Sequence, residues 1–242
     1  MKGSFLTGAG YFFRGLQRLN EPGLRRYVAI PILVNIVLMS AATWWGVHLL
    51  DQWLGELSAW LPSWLSWLYW VVLPVAVVVL LASFAYFFST VLVILMAPFN
   101  GLLSEQVDRR LGNNLPSESI WSLVRRTLWR ELVKLAYLLP RYLGLFILGL
   151  IPVVQIVTPF LWVLFTCWVI ALQYADYAFD NRQLSFKKSK QDQQQQALTM
   201  LGFGAVVVFL LTIPIVNWFV IPAAIIGATQ MCHEQKIIRV AN

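Results

Sequence analysis

Two long apolar runs limit what this chain can fold into. Residues 28–50 and 68–97 contain no Asp, Glu, Lys or Arg. A helix of about 20 residues crosses the hydrocarbon core of a bilayer, which is about 30 Å thick. Both runs are long enough, so the sequence predicts two full membrane-spanning helices. Asn35 is the polar exception in the first run, and Pro74 interrupts the second.

The composition of the whole chain agrees with a membrane location. Hydrophobic residues make up 59% of the 242 residues and charged residues 12%, whereas soluble domains carry about 25% charged residues. Most of the surface must therefore face lipid, and nucleic acid is not expected as a partner. The first residues lack the apolar core of a signal peptide. Apolar residues there instead indicate an amphipathic helix in the membrane interface. They are Tyr11, Phe12, Phe13, Leu16 and Leu19.

Two further apolar regions, residues 142–173 and 197–229, are each divided by two prolines. The prolines are Pro152 and Pro159, then Pro214 and Pro222. In each region an amide follows the first proline by three residues, Gln155 in one and Asn217 in the other. The similarity indicates a weak internal repeat of two helical hairpins.

The first limb of the first hairpin, Tyr142 to Ile151, is about 15 Å long at 1.5 Å per residue, half the thickness of the hydrocarbon core. The hairpins are therefore predicted to penetrate only part of the bilayer. Backbone freed at that depth must be buried in protein or line a watery cavity, and paired proline-broken segments are typical of transport sites. Proline kinks are also frequent in ordinary membrane helices, and this alternative is left open.

The distribution of basic residues predicts the topology. The polar segments 98–137 and 176–196 and both chain ends carry Lys and Arg, whereas residues 51–70 carry neither. Basic segments stay on the cytoplasmic side of a membrane. This rule favours a single orientation, with two full spans followed by two hairpins that enter and leave on the cytoplasmic side. Four full spans in place of the two hairpins would satisfy the rule equally.

The polar segment after the second apolar run contains two further signals. Proline and Asn-Gly in residues 97–101 end a helix. Glu105 and Arg109 then share a helix face, either as an exposed ion pair or as part of a charged ring at a pore mouth. Ser117 is expected to cap an amphipathic helix that runs to about Tyr137 on the membrane surface. The basic residues of that helix are Arg125, Arg126, Arg130 and Lys134.

Residues 21–27, Glu-Pro-Gly-Leu-Arg-Arg-Tyr, directly precede the first span. Proline suits the first position of a helix, and a helix start presents free N–H groups and the positive end of its dipole. Arg25 and Arg26 oppose that dipole unless an anion binds between them and the N–H groups. The segment therefore indicates an anion site. The alternative is that the two arginines only fix the topology.

Signals for catalysis or metal binding are missing from the sequence. There is no P-loop motif, and His48 and His233 stand on unrelated segments that complete no catalytic triad. Cys167 and Cys232 suggest no disulfide framework and, with the histidines, no metal-ligand spacing. No paired carboxylates occupy an apolar stretch. We therefore expect no enzyme activity, no metal and no cofactor.

Four motifs in order resemble the CysZ family of bacterial inner-membrane sulfate permeases. They are residues 21–27, Ala-Pro-Phe-Asn-Gly at 97–101, Leu-Gln-Tyr-Ala-Asp-Tyr at 172–177 with Asp180 and Asn181, and Ile213-Pro214 with Asn217 and residues 227–229. The resemblance implies an all-α integral membrane fold with two long transmembrane helices and two hemi-penetrating hairpins. It also implies a homo-oligomer of antiparallel pairs, which conflicts with the single orientation that the charges favour.

The function that this resemblance implies is sulfate uptake into the cytoplasm for cysteine synthesis, by a protein surrounded by membrane lipid. The implied sulfate site is Gly23, Leu24, Arg25 and Arg26. The implied polar pore positions are Asn35, Asn100, Glu105, Arg109 and Asn217. Two alternatives stand beside it: a membrane scaffold or membrane-shaping protein without transport, and a permease for thiosulfate, selenate or molybdate.

Overall fold

The computed structural model describes residues 3–60, 74–75, 77–79, 81–82, 98–116 and 118–238. Within these residues the regular structure is helical, without strands. The helices in chain order are α1 (Phe5–Gln17), α2 (Arg25–Trp60), α3 (98–110), α4 (Ile120–Gly149), α5 (Thr158–Asp180), α6 (Phe186–Gln195), α7 (Ala197–Leu211) and α8 (Pro214–Glu234). The predicted all-α fold is therefore confirmed for this part of the chain. Asn100 and Gly101 lie inside α3, so the helix break predicted at this Asn-Gly pair is wrong.

The chain divides into two compact units. One consists of residues 30–96, and the other of residues 1–29 together with 97–242. The predicted span at 28–50 lies inside α2, so its helical structure is confirmed. Membrane crossing by this run stays a prediction. Most of the predicted span at 68–97 lies outside the described residues.

Two helices in the described part of the chain are long and apolar enough to cross a membrane. They cover Trp121–Gly149 and Thr158–Asp180. Together α6 and α7 form a third candidate, with a bend of 99° between them. The first helix of this pair is polar and the second apolar, which is typical of a surface helix followed by an inserted one. These helices confirm an integral membrane protein.

Both proline-broken regions are interrupted in the structure. Residues 150–157 separate α4 from α5 and include a 3₁₀ turn at Val154–Ile156. In the second region, α7 ends at Leu211 and α8 begins at Pro214. Proline fits this position because the first N–H groups of a helix have no helical partner. Pro222 lies inside α8 and does not divide it, so the second break predicted in this region is wrong.

The start of α4 differs from the prediction. Ser119, rather than Ser117, is the N-cap, and its hydroxyl oxygen accepts a hydrogen bond of 3.3 Å from the N–H of Ser122. Both serines follow Pro116 closely, and either could offer the cap oxygen that a helix start requires. The structure therefore places the cap two residues later than expected.

The end of α4 also differs from the prediction. The helix does not stop near Tyr137 but continues through Pro140 to Gly149. The expected surface helix and the limb from Tyr142 are therefore one helix of 30 residues, and the short length estimated for that limb is wrong. A proline inside a helix costs about 3 kcal/mol. Ending the helix next to lipid would leave several backbone groups unpaired, which costs more.

Glycine residues bring α1 into close contact with α7 and α8. A Cβ on Gly8 would lie 1.9 Å from the carbonyl oxygen of Thr199 in α7, and a Cβ on Gly15 would lie 2.1 Å from a backbone oxygen of α8. Only glycine allows the helices to approach this closely. Tyr11 and Phe12 are buried in this contact. The predicted amphipathic helix is therefore present, and these two aromatic residues pack on protein.

Candidate functional site

The predicted anion site lies at a tight turn between α1 and α2. Gly23 has a φ of +87°, a left-handed conformation that residues with a Cβ rarely adopt. A Cβ at this position would also lie 2.4 Å from Nη2 of Arg110. The backbone angle therefore favours glycine here, whereas the end of the flexible arginine side chain could move aside.

The turn satisfies part of its own backbone. The N–H groups of Leu24 and Arg25 both donate to the carbonyl oxygen of Glu21, at 3.0 and 3.3 Å. The expectation that the helix-start amides are open is therefore wrong for these two. Within the described residues, the N–H groups of Gly23 and Arg26 have no hydrogen-bond partner. The side chain of Leu24 is fully buried and its N–H is already paired, so this residue anchors the turn and offers an anion no donor.

The two adjacent arginines begin α2 with exposed side chains. Arg26 donates to the hydroxyl of Tyr27 at 3.3 Å, and its guanidinium lies 4.9 Å from the centroid of that ring. Across the part of the chain that the structure describes, neither Arg25 nor Arg26 is joined to a carboxylate. Both positive charges are therefore available to a negatively charged ligand.

Glu21 binds the other two arginines of the turn. Nε of Arg18 donates to Oε1 of Glu21 at 2.7 Å, and Nη1 of Arg110 donates to Oε2 at 3.2 Å. Nη2 of Arg110 also donates to the carbonyl oxygen of Pro22. The hydrogen bond from Arg18 lowers the pKa of Glu21 below its ordinary value of 4.5, so the carboxylate is ionised at neutral pH. Four arginines and one glutamate leave an excess of positive charge, which attracts anions.

The five predicted pore residues have different surroundings. Glu105 and Arg109 form an ion pair along α3, with 2.7 Å between Oε1 and Nη2, which confirms that they share a helix face. Asn100 is hydrogen-bonded to a tyrosine of α5. Asn217 is half-buried in α8, and the side chain of Asn35 in α2 lies outside the described part. A pore role for these residues stays a prediction.

A buried row of charges, which the sequence reasoning missed, joins α4 to α5. We call it the charge row: Arg126, Arg130 and Lys134 of α4 with Asp176 and Asp180 of α5. Arg130 donates to both carboxylate oxygens of Asp176, each at 2.7 Å. Nη1 of Arg130 also lies 3.3 Å from Oδ1 of Asp180, and Nζ of Lys134 lies 3.4 Å from Oδ2 of Asp176. These basic side chains therefore join α4 to α5, and the position of their helix on the membrane surface stays a prediction.

The spacing along each helix contains a signal that could have predicted the charge row. Its three cations are four residues apart and so lie on one face of α4, and its two carboxylates are also four apart. Basic residues at the boundary of an apolar helix pair with carboxylates when both are buried, since an unpaired buried charge is costly. Asp176 and Asp180 belong to the third motif of the family resemblance, and the structure gives them a helix-joining role.

A second buried cluster centres on Asp108 of α3. Arg182 donates to its two carboxylate oxygens at 2.8 and 3.0 Å, and Asn181 and Asn113 each donate at 3.1 Å. Burial raises the pKa of Asp108 above its ordinary value of 3.8, although the positive charge of Arg182 opposes this. Asn181 also donates to the hydroxyl of Ser104 at 3.0 Å. The cluster therefore fixes α3 against the end of α5.

The buried charges and the exposed turn differ in whether their charged groups are free to bind a ligand. The charge row and the Asp108 cluster are paired within the protein, whereas Arg25 and Arg26 are exposed and have no carboxylate partner among the described residues. The described residues contain no group of three or more His, Cys, Asp or Glu placed to hold a metal ion. The fold and the site therefore define a class: helical membrane proteins with an anion-attracting turn at the start of a long helix.

Comparison with known proteins gives the family. Residues 11–222 match the family described as "Sulfate transporter CysZ/Etoposide-induced protein 2.4". A Vibrio cholerae serotype O1 protein named "Sulfate transporter CysZ" is 44% identical over 236 residues, which cover 96% of this chain and 94% of that protein. A Pectobacterium atrosepticum protein of the same name is 42% identical over 230 residues, covering 93% of this chain and 84% of that protein. The chain belongs to this transporter family.

Family membership confirms the resemblance that the four motifs indicate. Together with the helices that are long enough to cross a bilayer, it makes the chain a multi-pass protein of the bacterial inner membrane. The comparisons do not test which residues bind a substrate, so the assignment of the anion site rests on the geometry of the turn.

Proposed function

We propose that this protein transports sulfate across the inner membrane into the cytoplasm, where it supplies sulfate assimilation and cysteine synthesis. Its relatives from two bacteria are named sulfate transporters and match nearly the whole chain. The observation that carries the proposed site is the pair of Arg25 and Arg26. Their guanidinium groups are exposed and without a carboxylate in the described part of the chain, beside two N–H groups that have no partner there.

The chemistry of sulfate fits the groups that the turn offers. Sulfate is a tetrahedral dianion, and a transport site must replace part of its hydration shell and still release it. A guanidinium group presents paired N–H donors in a fixed fork, which suits an oxyanion better than the single ammonium of lysine. The N–H groups of Gly23 and Arg26 add uncharged donors at a helix start. The exposure of the site favours release.

Glu21 is a positioning residue in this proposal. Its carboxylate holds Arg18 and Arg110, and its carbonyl oxygen caps the turn through two N–H groups. The residue therefore fixes the backbone of the site and occupies the neighbouring arginines. It leaves Arg25 and Arg26 as the pair that captures sulfate.

Passage after capture uses polar side chains in this proposal. The residues are Asn35, Asn100, Glu105, Arg109 and Asn217. The exposed ion pair within this set is worth less than about 1 kcal/mol. Because that interaction is weak, Arg109 can exchange its contact with Glu105 for a contact with a passing anion.

The proposal also states how the protein assembles and that transport needs no chemical reaction. The working unit is a homo-oligomer built from dimers, surrounded by lipid, with no nucleic-acid partner. Transport involves no enzymatic step, no metal and no cofactor. Light scattering of the purified protein tests the assembly, and a monomer in several detergents and in lipid nanodiscs would contradict it.

Flux of labelled sulfate into liposomes that contain the purified protein tests the function. The unaltered protein is expected to raise influx well above that of empty liposomes. Arg25→Ala/Arg26→Ala is expected to lower the initial rate at least about tenfold, because hydrogen bonds to charged groups contribute roughly 1.5–3 kcal/mol each. Arg125→Ala/Lys187→Ala is the matched control. It removes two exposed basic residues that form no ion pair within the described residues, and it should transport normally.

Three outcomes would contradict the proposal in different ways. Influx no greater than that of empty liposomes would reject transport and favour a scaffold or membrane-shaping protein. Normal influx by the Arg25→Ala/Arg26→Ala protein would reject the capture site but leave transport in place. Stronger competition by thiosulfate, selenate or molybdate than by unlabelled sulfate would reject sulfate as the preferred substrate.

A further inference from the structure

An apolar groove runs between α4 and α5 and does not include the anion site. Its volume is about 540 Å³. The residues lining it are apolar except for one arginine, and they include Gly144, Leu148, Leu164, Trp168 and, from α7, Leu201. A Cβ on Gly144 would meet no atom of the described residues within 4 Å, so among these residues the groove is open beside Gly144. An elongated apolar ligand can enter it.

The one charged residue of the groove marks the polar boundary of α4. Arg141 lines the groove, its side chain is exposed, and the next charged residue in the chain is Asp176. The residues of α4 before Arg141 include the cations of the charge row, and those after it are apolar. The groove therefore extends from a charged boundary into the apolar part of the molecule.

A second cation, from α6, contacts the same tyrosine ring as Arg141 and does not itself line the groove. The guanidinium carbon of Arg141 lies 3.5 Å from the centroid of the Tyr137 ring, and Nζ of Lys190 lies 4.6 Å from the same centroid. Within the described residues, neither cation forms an ion pair with a carboxylate. Both positive charges are therefore available to an anion.

The bend between α6 and α7 indicates the depth of these cations in the membrane. The two helices meet at 99°, and α6 is polar whereas α7 is apolar. A polar helix that joins an inserted one in this way is expected to lie at or beyond the level of the lipid headgroups. Lys190 belongs to that helix, so its charge stands where lipid phosphates are.

We propose that the groove and its two cations form a binding site for an anionic phospholipid. The phosphate lies between Arg141 and Lys190, and one acyl chain occupies the groove past Gly144. Charge complementarity favours this ligand over a neutral lipid. It also favours the lipid over an apolar helix of a second copy of the chain, which would bury Arg141 without a partner at high cost.

Native mass spectrometry of the purified protein tests the site, with phosphatidylglycerol and phosphatidylcholine added in equal amounts. The unaltered protein is expected to retain phosphatidylglycerol preferentially. Arg141→Ala/Lys190→Ala is expected to lower that retention about 25-fold, because each basic residue near an anionic lipid contributes roughly a factor of five. Arg125→Ala/Lys187→Ala removes one exposed basic residue from each of the same two helices, outside the groove, and should retain the lipid normally.

A second variant tests the groove separately from the charges. Gly144→Leu keeps both cations and places a side chain in the space that the acyl chain needs. Because a Cβ at this position meets no neighbour, the helix should fold normally, which its helix content checks. Retention of phosphatidylglycerol is expected to fall several-fold.

Four results would overturn the proposal. They are equal retention of the two lipids, an equal loss in the Arg125→Ala/Lys187→Ala control, unchanged retention by the Gly144→Leu protein, and displacement of the lipid by inorganic sulfate at the same concentration. The last result would make the cations a site for a free anion. A dimer that dissociates in the groove variants without any bound lipid would assign the groove to a second copy instead.

Discussion

Arg130 and Asp176 join α4 to α5 through two parallel hydrogen bonds of 2.7 Å each. A bidentate contact of this kind fixes the rotation of the two helices as well as their separation. Asp176 is fully buried, and Lys134 next to it is 3% exposed. The contact therefore holds together the two described helices that are long enough to cross a membrane.

Removal of the central carboxylate should be strongly destabilising. Asp176→Ala leaves Arg130 without its bidentate partner and Lys134 with only Glu131 as a carboxylate within reach. A buried pair that loses one partner costs roughly 3–5 kcal/mol. The free energy of unfolding in detergent, measured by chemical denaturation, should fall by about that amount.

Arg109→Ala is the comparison for this prediction. It breaks the exposed pair with Glu105, which should cost less than about 1 kcal/mol because solvent screens it. Similar losses for the two variants would mean that the charge row does not stabilise the fold more than a surface ion pair does.

Two glycines one half-turn apart in α1 should respond to alanine in opposite ways. At Gly8 the new Cβ would lie 1.9 Å from the carbonyl oxygen of Thr199, whereas at Gly10 it would meet nothing within 4 Å. Gly8→Ala should therefore destabilise the protein by about 1–3 kcal/mol or more through overpacking. Gly10→Ala should stabilise it by about 0.5–1 kcal/mol, since alanine favours a helix. Thermal unfolding of both variants measures whether each substitution stabilises or destabilises the protein. A change in the same direction for both would contradict the packing of α1 on α7.

The raised pKa of the buried Asp108 should be visible in how the free energy of unfolding depends on pH. Its pKa in the folded protein is raised above the ordinary value of 3.8, so the folded state binds a proton more tightly than the unfolded state. Its contribution to stability is therefore present below pH 3.8 and is lost as the pH rises through the folded pKa. Asp108→Asn removes this titration. The free energy of unfolding of the unaltered protein, relative to that variant, should fall as the pH rises above 3.8.

Glu21 should change the free energy of unfolding with pH in the opposite direction to Asp108. Arg18 lowers its folded pKa below 4.5, so its contribution to stability is present above that pH and is lost as the pH falls through the folded pKa. Relative to Glu21→Gln, the unaltered protein should lose stability on acidification. If both residues changed the free energy of unfolding in the same direction with pH, either the burial of Asp108 or the hydrogen bond from Arg18 to Glu21 would be contradicted.

The amino-acid sequence determined the helical membrane class, because apolar length and low charge are properties of each stretch by itself. It also placed the breaks at residues 150–157 and before Pro214, since proline acts on its own neighbours. The N-cap at Ser119 and the continuity of α4 through Pro140 were missed. They depend on competition between adjacent serines and on the cost of unpaired backbone beside lipid.

The tertiary structure decided which basic residues are free to bind a ligand. Arg126, Arg130 and Lys134 look as available in the sequence as Arg25 and Arg26 do. The approach of α5, which lies some fifty residues away along the chain, pairs the first three with Asp176 and Asp180. The residue pattern of one segment shows only that a charge is present. Whether that charge already has a partner depends on its distance from segments remote in the sequence, and the packing of the helices sets that distance.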